Sequence, residues 1–238
     1  MGVQLSVVLP CYNEEKAIPK VLNELIDFKS KKMKENILSD LEVIVVDDGS
    51  TDTSLELLQK IDGIKIISMP KNEGYGAALK VGISAARNEW IGFYDLDGTC
   101  HPEDLMQVIP LMQNQTPYMF CGVRMNMDSK MPFVRKLGNG IFRSLVSLFL
   151  GSKVKDACSG YRFFHKTYAD KYVAHLPNQL NFTLAMTILT LRNHLNYREF
   201  TVNYTERLGE SKLSALFDGV RFLGTILRYR FSRRLRII

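Results

Sequence analysis

Four short apolar runs, Leu5 to Leu9, Leu41 to Val46, Ile64 to Ser68 and Trp90 to Tyr94, alternate along the first half of the chain with helix-like stretches. Those stretches are Glu15 to Phe28, Ser54 to Gln59, Tyr75 to Ala86 and Pro102 to Met112. Strands that are apolar throughout, rather than at alternate positions, are covered on both faces. The pattern therefore predicts an α/β fold with a doubly wound, mostly parallel sheet. Helix starts are marked by Asp52 or Thr53 as a cap, and by Pro102 with Glu103 and Asp104 in a first turn. Ligands of such sheets sit outside the carboxyl ends of the strands, where Tyr12-Asn13-Glu14, Asp47-Asp48 and Asp95-Leu96-Asp97 all fall.

Beyond Arg124 the alternation stops. Pro132 to Leu150 reads as one or two helices, Gly160 to Phe164 and Tyr197 to Tyr204 as short strands, and Phe182 to Asn193 as a helix. This half is expected to complete the sheet and to supply a second substrate's site. The stretch from Lys29 to Asp40, with Lys31, Lys32 and Lys34, reads as a solvated connection. No repeat, low-complexity tract or Pro/Gly/Ser-rich linker intervenes, so residues 1–212 are expected to form one domain.

Residues 213–238 differ in kind. From Gly219 to Ile238 there are six arginines (Arg221, Arg228, Arg230, Arg233, Arg234 and Arg236) and no acid, interleaved with Phe222, Leu223, Ile226, Leu227, Phe231 and Leu235. This predicts a basic amphipathic helix on an anionic membrane surface, assisted by the apolar run from Ile141 to Leu150 (Ile141, Phe142, Leu145, Val146, Leu148 and Phe149). The alternative is a terminal helix docked on the domain.

Composition narrows the class. A chain of 238 residues, 46% hydrophobic and 24% charged, can bury a full core. Its four cysteines show no C-x-x-C spacing, which argues against a disulfide framework or zinc site and fits a reducing cytoplasm. No signal-peptide pattern is present, and no apolar run approaches the roughly 18 residues of a transmembrane helix. A peripheral place on the cytoplasmic membrane surface is therefore expected. Met1-Gly2-Val3-Gln4-Leu5-Ser6 matches a myristoylation pattern but leads straight into the first apolar strand. The net charge of +6 does not point to nucleic acid, because the arginines cluster in one terminal segment and no nucleic-acid motif accompanies them.

At the end of the fourth strand, Asp95 and Asp97 stand one residue apart where the chain is already turning. Both carboxylates can converge on one hard cation such as Mg²⁺ or Mn²⁺. The string Asp95-Leu96-Asp97-Gly98-Thr99 also matches the signature of haloacid-dehalogenase-like phosphatases. That motif closes the first strand of its domain, whereas three strands precede it here.

Five motifs in order, Val8-Leu9-Pro10-Cys11-Tyr12-Asn13-Glu14-Glu15, Val45-Val46-Asp47-Asp48-Gly49-Ser50-Thr51-Asp52, Lys71-Asn72-Glu73-Gly74-Tyr75-Gly76-Ala77-Ala78, Asp95-Leu96-Asp97 and Ser159-Gly160-Tyr161-Arg162, resemble the GT-A glycosyltransferases of family 2. Gly122-Val123-Arg124, Arg135-Lys136-Leu137-Gly138-Asn139 and Arg207-Leu208-Gly209-Glu210-Ser211-Lys212 are similar to the dolichyl-phosphate mannose synthase and polyprenyl-phosphate glucosyltransferase group. The resemblance implies the GT-A fold and inverting, metal-dependent transfer of a hexose to polyprenyl or dolichyl phosphate. The donor would be GDP-mannose or UDP-glucose. It implies Asp97 as ligand of Mg²⁺ or Mn²⁺, Asp95 as support for metal and sugar, and Pro10, Tyr12, Asn13, Glu14, Asp47 and Asp48 around the nucleotide. Arg124, Arg135, Arg207 and Lys212 would surround the leaving diphosphate and the lipid phosphate. Where the family often places a metal-binding glutamine, this chain has Thr99.

A lipid phosphate is anionic at neutral pH and needs no general base, whereas a hydroxyl acceptor normally does. Leu176 to Arg198, where relatives commonly carry a glutamate, has no acid. Asp156 remains as the candidate base, so a saccharide or glycolipid hydroxyl acceptor stays as the alternative.

Overall fold

The computed structural model describes residues 2–114, 119–125, 129–212 and 215–231. Its sheet is built from β1 (Val3–Cys11), β2 (Leu38–Asp47), β3 (Lys65–Ser68), β4 (Trp90–Phe93), β5 (Met119–Val123), β6 (Arg162–His165) and β7 (Tyr197–Thr201). The helices are α1 (Ile18–Lys34), α2 (Ser54–Leu58), α3 (Tyr75–Ala85), α4 (Ile109–Asn114), α5 (Phe133–Leu150), α6 (Lys166–Tyr172), α7 (Phe182–Arg192) and α8 (Ala215–Phe231). Strand order is β3-β2-β1-β4-β6-β5-β7. All neighbours are parallel except β6, which runs antiparallel to both β4 and β5.

The predicted double cover follows directly from β1 and β2. Leu5, Val7 and Leu9 join Val43 and Val45 in a core beneath α1, while Val8 joins Ile44, Val46, Leu79 and Ile83 on the opposite face. Gly92 is required in β4 because β6 lies so close: a Cβ there would stand 2.0 Å from the Phe163 ring. The second core continues through α7, whose residues from Phe182 to Thr190 are all buried.

Two local expectations are corrected, and a third is narrowed. Lys29 to Asp40 is not a solvated connection, since α1 runs on to Lys34 and β2 starts at Leu38. Lys32 is buried, its stem packed along the helix with the ammonium 5.8 Å from the Phe28 ring centroid and 3.0 Å from Glu35. The Pro102 to Met112 segment is a 3-10 turn, Pro102–Gln107, followed by α4. Of the two candidate caps of α2, Asp52 accepts the Ser54 N–H at 2.9 Å, while Thr53, at the N-cap position, makes no side-chain capping bond.

Helices α5 and α8 pack on the second core and against each other, with Phe142 and Phe222 ring centroids 5.2 Å apart. Phe222, Ile226 and Tyr229 point inward from α8, while Phe217, Val220, Leu223 and Leu227 are exposed. On α5, Val146 is buried, whereas Phe133, Val134, Leu137, Ile141 and Leu148 face outward. Among the described residues no helix is long and apolar enough to cross a membrane. Arg233, Arg234, Leu235 and Arg236 lie outside the described residues.

Candidate functional site

The first three acidic motifs meet because β1, β2 and β4 end side by side. Cys11 pairs with Asp47 in the sheet, and the Asp48 N–H donates to the Cys11 carbonyl at 2.8 Å. Asn13, at φ +54°, turns the chain sharply after β1. Its side-chain oxygen accepts the Thr51 N–H at 2.8 Å and its own N–H donates to Ser50 Oγ at 3.0 Å. Two loops are thereby joined into one rim, with Pro10 and Tyr12 half-buried along it.

Asp47 accepts the Ser50 N–H and the Ser68 hydroxyl, both at 3.2 Å. Asp48 accepts the N–H groups of Glu73 and Gly74 at 2.8 and 2.9 Å, fixing the loop that starts α3. That loop delivers Tyr75, whose hydroxyl donates to Asp95 Oδ1 at 2.7 Å. The other Asp95 oxygen faces Gly160, where an added Cβ would lie only 2.8 Å away. Asp97 is buried, and its Oδ1 accepts the N–H and hydroxyl of Thr99 at 3.0 and 2.6 Å. Thr99 thus orients Asp97.

The chain leaving β7 returns across these strand ends as a strap. The Leu208 N–H donates to the Asp97 carbonyl at 2.8 Å, and the Thr205 N–H to the Thr99 carbonyl at 3.0 Å. One Arg207 nitrogen then reaches Asp97 Oδ2 at 2.6 Å and another reaches Glu14. Lys212 Nζ lies 3.2 Å from the same Glu14 oxygen and 2.7 Å from the Asn13 carbonyl. Arg135, on α5, donates to the strap at Ser211.

Carboxylates crowd this centre, and burial raises Glu14, Asp48 and Asp95 above their ordinary values. The Glu14 carboxyl is pushed up to about 7 by burial, which outweighs Arg207 and Lys212. Asp95 is also raised, first by burial and then by the Asp97 charge. A carboxyl raised on folding favours the folded state most where both folded and unfolded chains are protonated, and that advantage is lost as pH rises from the unfolded value to the folded one. Stability from Glu14 is therefore complete below about pH 4.5 and declines as pH rises toward 7. Glu14→Gln is expected to flatten that decline, so that the variant gains on the parent between those pH values. Urea midpoints measured across the range check it, and parallel curves for the two proteins would contradict it.

Beside this centre lies a second group. Asp156 is fully buried, and its Oδ2 accepts from Arg124 Nε at 2.9 Å and from the Arg124 N–H at 3.2 Å. Its Oδ1 accepts from Arg124 Nη2 at 3.0 Å, Asn139 Nδ2 at 2.8 Å and the Cys158 N–H at 3.2 Å. Burial alone would push this carboxyl up, yet the Arg124 guanidinium and Asn139 hold it below the usual carboxylate range. Both oxygens are engaged, and the geometry is that of an anchor for Arg124. Arg124 in turn approaches the Tyr204 ring at 6.0 Å from its centroid and offsets a small part of the upward shift that burial and Asp97 impose on Asp95.

Sequence reasoning did not assign roles to Tyr75, Asn139 or Arg162. Arg162, fully buried in β6, donates to the carbonyls of Ser159 and Ala157 at 2.8 and 3.1 Å and to Thr187 Oγ1 at 2.8 Å. It holds the turn that carries Asp156 and Gly160. An arginine inside an apolar strand was the available signal.

Among the described residues no three His, Cys, Asp or Glu side chains converge as a closed metal cage. A Mg²⁺-type ion does not need one, because it usually binds through one or two carboxylates with substrate phosphates and waters completing the shell. Asp95 and Asp97 are hard oxygen donors of that kind. Glu14 Oε2 beside them is buried without a hydrogen-bond partner among the described residues. The donor set fits a Mg²⁺- or Mn²⁺-type ion.

A family model described as glycosyl transferase family 2 matches residues 6–173. The chain is 29% identical to a dolichyl-phosphate beta-glucosyltransferase of Dictyostelium discoideum, covering 99% of this chain and 76% of that one. It is also 29% identical to a dolichyl-phosphate beta-glucosyltransferase of Homo sapiens, over 88% of this chain and 69% of that one. Among solved structures, glucosyl-3-phosphoglycerate synthase from Mycobacterium tuberculosis, in complex with Mn²⁺, uridine diphosphate and phosphoglyceric acid, matches with a TM-score of 0.71. The match covers 97% of this chain and 79% of that chain at 20% identity, which establishes a shared GT-A fold.

Proposed function

The chain belongs to glycosyl transferase family 2 and is a glycosyltransferase; from that membership we propose that it transfers glucose from UDP-glucose to the phosphate of a polyprenol or dolichol. Asp95 and Asp97 would hold the divalent cation, Mg²⁺ or Mn²⁺. When bound, that ion neutralises charge growing on the departing diphosphate. An α-linked donor would give a β-linked product by inversion. Glucose is favoured over mannose because the similar proteins named above are glucosyltransferases.

The observation that carries the acceptor assignment is Asp156. A carboxylate held low by Arg124, with both oxygens accepting hydrogen bonds, is a poor base for a hydroxyl. A phosphate brings its own negative charge. Arg207 and Lys212 on the strap, Arg124 beside Asp95, and Arg135 at the strap's far end supply cations on the side from which such an acceptor would enter. Arginine forks suit phosphate oxygens. On this reading Asp97 and Asp95 serve the donor, Pro10, Tyr12, Asn13, Glu14, Asp47 and Asp48 shape the nucleotide rim, and Thr99 and Tyr75 keep the two carboxylates aimed.

A lipid acceptor requires a membrane contact, and the outward faces of α5 and α8 supply one. Phe133 and Leu148 on α5 and Phe217 and Val220 on α8 are each at least three-quarters exposed, at 77%, 76%, 80% and 75%. Arg143 and Arg221 accompany them. On this view residues 1–212 form the catalytic body and the segment from 213 onward its surface anchor.

The deciding assay combines the protein with Mn²⁺ or Mg²⁺, polyprenyl phosphate and labelled UDP-glucose or GDP-mannose. Label should enter the lipid phosphate from UDP-glucose. Transfer from GDP-mannose alone would reassign the donor, and transfer only to a saccharide hydroxyl would replace the acceptor. In parallel, the protein should sediment with anionic vesicles, and Phe217→Asp combined with Leu148→Asp should release it; full retention of that variant would refute the docking face.

A further inference from the structure

Asn139 is out of character for its helix. Helix α5 turns apolar side chains outward, yet at Asn139 it buries an amide. Among the described residues Asn139 Oδ1 is buried without a hydrogen-bond partner, so half of that amide is unsatisfied. Such a group costs free energy, and an apolar side chain of similar volume would avoid the cost. The bond it does make is specific. Asn139 Nδ2 donates to Asp156 Oδ1 at 2.8 Å, the same oxygen that receives Arg124 Nη2 at 3.0 Å.

A carboxylate that accepts two parallel N–H groups from a guanidinium fixes its plane only if the carboxylate's own rotation is fixed. The Cys158 N–H and Asn139 do this for Asp156, from its own turn and from α5 respectively. Arg124 then lies 6.0 Å from the ring centroid of Tyr204, on the strap that runs on to Arg207, while its partner Asp156 sits on the turn whose Gly160 abuts Asp95. We infer that Asn139 is a positioning residue: through Asp156 it holds the Arg124 guanidinium in the direction from which it meets the acceptor's phosphate. One helix thus offers an apolar face to the surroundings and sets a cation in the site with the opposite face. This inference rests on the phosphate-acceptor reading above.

The test compares Asn139→Leu, which removes the donor at similar volume, with Asn139→Gln, which keeps an amide. Steady-state transfer from UDP-glucose to polyprenyl phosphate gives KM and kcat for the acceptor, and calorimetry gives the Kd of UDP with Mn²⁺. Asn139→Leu should raise the acceptor KM about tenfold with UDP affinity unchanged and the shape of the pH profile retained. Asn139→Gln should recover part of that loss. The inference falls if a folded Asn139→Leu protein uses the acceptor as the parent does. It also falls if UDP affinity drops in step, or if Asn139→Gln recovers nothing. Should Asn139→Leu not fold, Asn139→Ala replaces it under the same criteria, and failure of both to fold makes the role structural and overturns the inference. A parent protein that uses no phosphate acceptor overturns the acceptor reading itself, whereas normal acceptor use by both parent and variant overturns the inference alone.

Discussion

Asp97→Ala is expected to lower sugar transfer by about 100-fold or more, since loss of one group from a charge-stabilising clamp typically costs several kcal/mol at the transition state. Stability should change far less. The Asp97 charge helps raise both Asp95 and Glu14, so its removal relieves repulsion between buried carboxylates. Arg207 keeps Glu14 as a partner in the variant. Mn²⁺ and UDP together are expected to raise the Tm of the parent, and the same substitution should abolish that rise. Turnover and differential scanning measurements on the two proteins check both statements. Full activity of Asp97→Ala, or of the parent in excess chelator, would contradict the placement of the ion.

Arg124→Ala should have the largest effect on folding. It leaves Asp156, at 0% exposure, without its guanidinium. Breaking a buried pair in this way costs about 3–5 kcal/mol, a large share of the roughly 5–15 kcal/mol that holds a domain together. The pH dependence carries the signature. In the parent, Asp156 is lowered on folding, so its contribution is present above the unfolded carboxylate value of 3.8 and disappears as pH falls through the still lower folded value. Without Arg124, burial dominates and the carboxyl rises. The stability gap between variant and parent should therefore narrow as pH falls and Asp156 takes up a proton. Asp156→Asn combined with Arg124→Ala should cost less than the two single changes added together. Denaturation at several pH values decides it, and a gap independent of pH would be inconsistent with an unpaired buried carboxylate.

Strands β1, β2 and β4 were legible in the sequence because they are buried on both faces and carry uninterrupted apolar runs. The acidic motifs were legible for a related reason: a carboxylate closing such a run has nowhere to be except the sheet's edge. What stayed hidden depends on partners far along the chain. Nothing local to Met119–Val123 says that β6 will lie between it and β4, or that β6 will run antiparallel. Lys32 looked solvated because its charge is visible in the sequence and the Phe28 ring beside its stem is not. Asp156 looked available as a base until Arg124, 32 residues away, was seen gripping both its oxygens. Asn139 closed the Arg135-Lys136-Leu137-Gly138-Asn139 motif with no role attached, because the Asp156 carboxylate it meets lies 17 residues on.

The position of β6 has a consequence for synthesis of the chain. Residues Met119–Val123 are all buried in the finished sheet, yet both strands that flank β5 there, β6 and β7, are made after it. At about 5–20 residues per second on the ribosome, the roughly forty residues up to His165 take about 2–8 s to emerge. For that interval an apolar strand has no neighbour to pair with, and the half-made sheet ends at β4 with an open edge. Aggregation during expression should therefore begin in this window, and slower growth temperatures or a holdase chaperone should raise the soluble yield by shielding one short segment of the nascent chain.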